Sequence, residues 1–185
     1  QSWKGSDLGF ESVFDEIIAT AGNTEFMGYE KESADADVLL LYKETVKSKT
    51  ISEGDRGIIV LNRTPFYGES GGQVGDIGEI ICGSSVFSVE DTKKHNKTHI
   101  HIGTVVKGSF KEGDKVEAKI NRMNRNLIRA NHTATHLLQA ALRQILGNHV
   151  KQAGSIVDPE KLRFDFSHFN SLSDDEITRI ESLVN

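Results

Sequence analysis

Cysteine is almost missing from this chain: one occurs in 185 residues, beside two prolines. A single cysteine excludes an internal disulfide, so the fold must hold by burial, for which 37% hydrophobic residues suffice. That cysteine, Cys82, lies in the apolar run Ile80-Ile81-Cys82-Gly83 and reads as a small buried hydrophobe. No run of eighteen apolar residues occurs, which excludes a hydrophobic spanning helix. The start, Gln1-Ser2-Trp3-Lys4-Gly5-Ser6, lacks the basic-then-apolar order of a secretory signal, so a cytoplasmic setting is expected. A basic excess is also missing. Lys and Arg number 22 against 27 Asp and Glu, a net charge of −5, so any contact with nucleic acid must come from a local patch. There is no internal repeat and no low-complexity stretch.

What is present falls into three parts. From Ser6 to Ala21, apolar residues at Leu8, Phe10, Val13, Phe14, Ile17 and Ile18 follow helical spacing until Gly22-Asn23 breaks it, which predicts a leading helix over residues 1–22. Residues 23–121 change to short β-rich runs between glycine and charged turns: Val38 to Tyr42, Gly57 to Asn62, Ile77 to Cys82, Ser85 to Glu90, Thr98 to Val106 and Lys115 to Ile120. Strands at this spacing without intervening helices predict a small closed or nearly closed antiparallel barrel. His99 and His101 alternate with Ile100 and Ile102, as the outer face of a barrel strand would.

Residues 122–185 return to helical period. Between Met123 and Leu146, Leu137, Leu138, Ala141, Leu142, Ile145 and Leu146 share one sector of the helical wheel, and Gly147 supplies a stop. Lys161 to Phe166 alternates like a strand. Ser173-Asp174-Asp175-Glu176 has the spacing of a capping box ahead of Ile177, Ile180, Leu183 and Val184. The last helix has no closing signal at Asn185, which predicts a cut inside a longer protein. The whole reads as an α+β chain.

His132 and His136 are four apart on the long helix, so their imidazoles project about one turn apart and can converge on one ion. On the wheel they lie opposite the apolar stripe, which argues against core histidines and leaves half of a metal site or a solvated pair. A protease zinc helix carries glutamate after the first histidine, whereas Thr133 stands there. Two histidines do not complete zinc's usual four ligands; His95, His99, His101, His149 and His168 are the other histidines available. If the helix begins at Arg122, then Arg122, Arg125, Arg129 and Arg143 fall on the histidine side, and Arg125 or Arg129 becomes a candidate contact for RNA phosphates. The loop Gly68-Glu69-Ser70-Gly71-Gly72-Gln73 permits close backbone approach to a ligand, reads equally as a barrel turn, and lacks the Gly-Lys-Ser/Thr ending of a P-loop.

Three stretches taken together resemble the editing region of alanyl-tRNA synthetases and the free-standing editing proteins related to it. They are Arg63 to Asp76, with its Gly71-Gly72-Gln73; Asn131-His132-Thr133-Ala134-Thr135-His136-Leu137-Leu138; and His149 to Ser155 followed by Arg163-Phe164-Asp165-Phe166-Ser167-His168. The resemblance covers nearly the whole chain, including Trp3-Lys4-Gly5-Ser6. It implies a barrel followed by an α/β editing core that hydrolyses the ester of tRNA(Ala) mischarged with serine or glycine. It implies Zn2+ on His132 and His136, completed by a Cys-x-x-x-His pair further along. No cysteine follows Cys82 here, so tight zinc binding by this chain alone is not expected. ATP and Mg2+ would belong to an aminoacylation domain that this chain lacks. The resemblance also makes Gln152 a candidate to meet the serine hydroxyl, sets Gly71, Gly72 and Gln73 at the substrate, and leaves Glu69 as the loop's ionisable, proton-handling candidate. The remaining readings are a fragment of a free-standing editing protein, or a non-catalytic RNA-binding barrel with an accessory helix.

Overall fold

The computed structural model describes residues 13–184. Among the described residues the first helix, α1, spans Phe14–Ala21 with Val13 at its N-cap; Leu8, Phe10 and the Trp3-Lys4-Gly5-Ser6 start lie outside the described residues. Thirteen strands and two further helices follow. The strands are β1 (Glu25–Phe26), β2 (Ser33–Lys43), β3 (Val46–Ser48), β4 (Thr50–Ser52), β5 (Arg56–Leu61), β6 (Arg63–Thr64), β7 (Gly78–Cys82), β8 (Ser85–His95), β9 (Thr98–Lys107), β10 (Ser109–Lys111), β11 (Lys115–Ile120), β12 (Lys151–Val157) and β13 (Leu162–Ser167). The helices are α2 (Arg122–Leu146) and α3 (Asp174–Val184). The chain divides into two compact units, residues 1–70 with 75–122, and residues 71–74 with 123–185.

The first unit is a closed antiparallel barrel in the order β2-β5-β9-β8-β7-β11, with β11 returning to β2. Closure depends on the length of β2. Its first half pairs with β11, as in Ala36↔Val116, and its second half with β5, as in Leu41↔Ile59. The register shift between Val38 and Leu40 lets one strand serve two neighbours, since a bulge bends a strand and sharpens its twist. Leu41, Ile59, Leu61, Phe66, Ile80, Phe87, Val105 and Phe110 fill the interior. A second cluster lies outside: Phe14 and Ile17 of α1 cover Leu40, Tyr42, Ile58, Val60, Ile100 and Ile102. The Tyr42 hydroxyl donates to Glu16 of the same helix at 3.2 Å, and burial foremost, with that carboxylate, pushes the phenol up to about 12.

β9 reverses the expected facing of its histidines. Cross-strand partners share a face, and His101 pairs with the interior residue Ile59, whereas Ile100 and Ile102 pair with Val60 and Ile58 of the outer cluster. The isoleucines therefore lie under α1, and His99 and His101 are buried on the other side, at 3% and 0% exposure. The polar ring is tolerated because His101 is fully partnered: Nδ1–H donates to the Ile59 carbonyl at 2.9 Å, and Nε2 accepts from the Thr64 hydroxyl at 2.8 Å. Burial lowers His101 to about 3 and His99, beside Lys94, to about 4. His99 stacks on Phe26 at 5.3 Å and its Nδ1 has no hydrogen-bond partner. Cys82 is half-buried against the interior cluster, and burial raises its thiol pKa.

In the second unit, α2 runs from Arg122 to Leu146 and stops at Gly147, whose φ is +111°. Ala141 and Leu142 bury against Val150 and Ile180, with Leu138, Ile145, Leu146, Phe164 and Phe166 packed around them. Leu137, expected in that stripe, is half exposed because it sits at the stripe's edge. β12 and β13 pair antiparallel. The capping box forms at α3: Ser173 Oγ accepts from the Glu176 amide at 3.3 Å, and a Glu176 carboxylate oxygen accepts from the Ser173 amide at 2.8 Å. No helix among the described residues is long and apolar enough to cross a membrane.

Candidate functional site

A small cavity of about 90 Å³ in the second unit is lined by Gly71, His132, Thr135, His136, Gln139, Gln152, Ser155 and Val157. One helix face supplies four of these. Residues 132, 135, 136 and 139 follow the i, i+3, i+4, i+7 spacing that puts side chains over one another, opposite the stripe of Leu138, Ala141 and Leu142. β12 supplies Gln152 and Ser155 from across the cavity. The volume is on the scale of a few waters or a small polar side chain.

Segment 71–74 completes the wall. It lies along β12 through two main-chain bonds, Val157 amide to Gly72 carbonyl at 2.8 Å and Val74 amide to Val157 carbonyl at 3.1 Å, with Gln73 bridged in parallel to Val157. Gly72 has φ +85°, and a Cβ there would overlap the Ser155 carbonyl, so no other residue fits this approach without strain. Asn131 secures the other end, its amide donating to the Asp158 carbonyl at 2.8 Å.

The histidine pair is exposed, and its two Nε2 atoms stand 2.9 Å apart, with ring centroids at 4.8 Å. Both nitrogens thus aim at one small volume. Two such imidazoles are fit ligands for a divalent transition metal such as zinc, and they amount to half of a four-ligand set. Among the described residues no group of three or more His, Cys, Asp or Glu gathers around them. His149 and His168 pair with each other instead, Nε2 to Nδ1 at 2.9 Å, and Phe169 stacks on His149 at 4.6 Å. His95 packs on Phe14 at 4.7 Å in the barrel unit, and His99 and His101 are buried there.

Of the residues singled out from sequence, His132, His136, Gln152 and Gly71 line the cavity, Gly72 seats segment 71–74, and Gln73 bonds His132. Arg129 is exposed and Arg125 half-buried, at positions of α2 that share the histidine side by the same spacing. Glu69 belongs to the barrel unit. Its carboxylate is ion-paired with Lys93, which also reaches Asp91 at 2.9 Å. Burial opposes the Lys93 charge, but the hydrogen bonds it donates to the Glu69 and Asp91 carboxylates outweigh it and hold the ammonium well above the usual lysine range. Thr135, Gln139, Ser155 and Lys93 were not anticipated. The first two could have been, because they complete the helical face that His132 and His136 begin.

The sequence has relatives. A family model described as tRNA synthetases class II (A) matches residues 1–124. The alanine–tRNA ligase of Nitrobacter winogradskyi is 47% identical over the whole of this chain, which covers 21% of the ligase. That of Saccharophagus degradans is 47% identical over 95% of this chain and 20% of its own length. That of Pseudomonas fluorescens is 45% identical over 97% and 21% respectively. The chain thus spans about a fifth of the length of these relatives.

Proposed function

The chain belongs to the class II (A) tRNA synthetase family, that of the alanine–tRNA ligases, and we propose that it forms part of the region of such a ligase that hydrolyses serine or glycine from mischarged tRNA(Ala). ATP-dependent aminoacylation would be the work of the rest of the protein, and a cytoplasmic setting fits that role. The observation that carries the reading is the cavity, which joins two convergent imidazoles to polar groups of α2 and β12 in a space sized for a small amino acid.

A second sieve is needed on energetic grounds. A site built for alanine cannot strongly reject glycine, which is smaller, or serine, which merely adds a hydroxyl. Gln152 offers an amide that both donates and accepts, suited to a serine hydroxyl, and Thr135 and Ser155 add hydroxyls to the same wall. Gly71 and Gly72 admit the ester close to main chain. Zinc held by His132 and His136, with further ligands from elsewhere in the ligase, would polarise the ester or position it. Arg125 and Arg129 would steer the 3′-end phosphates along the exposed side of α2, a local patch in an acidic protein.

The test is release of serine from Ser-tRNA(Ala) by the full-length ligase. His132→Ala and Gln152→Ala should each slow hydrolysis at least tenfold while charging with alanine continues. Unchanged hydrolysis in both variants refutes the site.

A further inference from the structure

We propose that Gln73 is a positioning residue that sets the ring of His132, through a single hydrogen bond, so that Nε2 is bare and aimed at the point it shares with His136; the proposal rests on the metal reading above. The contact is 2.7 Å from His132 Nδ1 to Gln73 Oε1. An amide oxygen only accepts, so Nδ1 carries the proton and the lone pair of the neutral ring falls on Nε2. That atom is the one 2.9 Å from His136 Nε2. Without an ion, His136 donates the proton that lies between the two rings. For an ion to enter that point, His136 would carry this proton on its own Nδ1 instead, leaving both Nε2 lone pairs free.

The amide that does this is built in. The backbone of Gln73 is bonded on both sides to Val157, through Gly72 and Val74, and Gly72 is the residue type its close approach to Ser155 requires. Gln73 itself is half-buried, whereas His132 is exposed and has water as its other competitor for Nδ1–H. An acceptor on a backbone-anchored segment thus meets an exposed ring on a helix. Partners of this kind orient metal-binding histidines, and losing one costs tenfold to a hundredfold in metal affinity.

Two measurements decide it. Ring-nitrogen NMR of this chain at neutral pH should show His132 protonated at Nδ1 and bare at Nε2. Gln73→Met, which keeps the shape and removes the acceptor, should mix the two tautomers while the β12 amide spectrum stays in place. In the full-length ligase, Zn2+ titration against a competing chelator should show affinity falling about tenfold to a hundredfold in Gln73→Met and returning in Gln73→Glu, whose carboxylate accepts from the same place. Unchanged ring signature and unchanged zinc affinity in Gln73→Met overturn the proposal and leave the metal reading standing. If the wild-type ligase takes up no zinc, the metal reading falls and the orientation toward an ion falls with it, whatever the ring signature.

Discussion

Buried histidines make the barrel acid-sensitive. His101 and His99 are lowered by burial to about 3 and about 4, against an ordinary value near 6.5 in the unfolded chain. Below 6.5 the unfolded state binds protons that the folded state refuses, so stability falls as pH drops, by up to about 1.4 kcal/mol per pH unit for each ring, and is unaffected above neutrality. Urea unfolding followed by β9 amide signals should show a lower midpoint near pH 5.5 than near pH 7.5; equal midpoints would contradict buried neutral rings. Glu69 gives a second prediction. Its pairing with Lys93 competes with proton handling. Glu69→Gln in the full-length ligase should leave serine release within about threefold, whereas a general base would cost 10²-fold or more. Sequence located the histidine pair by spacing alone, because two residues four apart on a strong helix need no tertiary information. It misjudged His99 and His101 because strand alternation reports that faces differ and not which face the barrel encloses. The covering helix α1 makes the outside of β9 as apolar as its inside.

Strands were found where they alternate or run apolar, and missed where they do not. The six barrel strands and α2 were anticipated; β12, with Lys151-Gln152-Ala153-Gly154, was not, since no period of apolar residues marks it and its register shifts between Gln152 and Gly154. Its strand character comes from β13, the hairpin partner that follows it, on one side and segment 71–74, distant in sequence, on the other. Gly72 tests that stitching. Gly72→Ala brings a methyl into the Ser155 carbonyl at φ +85° and should cost about 1–3 kcal/mol in the second unit. Faster amide exchange at Val157 and Val74 is the expected readout, and wild-type exchange at both would show that the segment is not held there.

For the molecule as a whole, a net charge of −5 sets the terms for an anionic partner. Any contact this chain makes with RNA would rest on a local patch, so removing two of its cations should be felt in the salt dependence as well as the affinity. Arg125→Ala with Arg129→Ala in the full-length ligase should weaken tRNA(Ala) binding and flatten the plot of log affinity against log salt by about two phosphate contacts, near 0.9 each on a duplex. An unchanged slope would place the contact elsewhere. Segment 71–74 bears on the history of the chain rather than its chemistry. It is four residues of the second unit inserted in the sequence of the first. A recombination event that copied residues 123–185 alone would inherit both histidines and leave Gln73 behind. Such a copy would keep the two imidazoles of the proposed site and lose the acceptor 2.7 Å from His132 Nδ1.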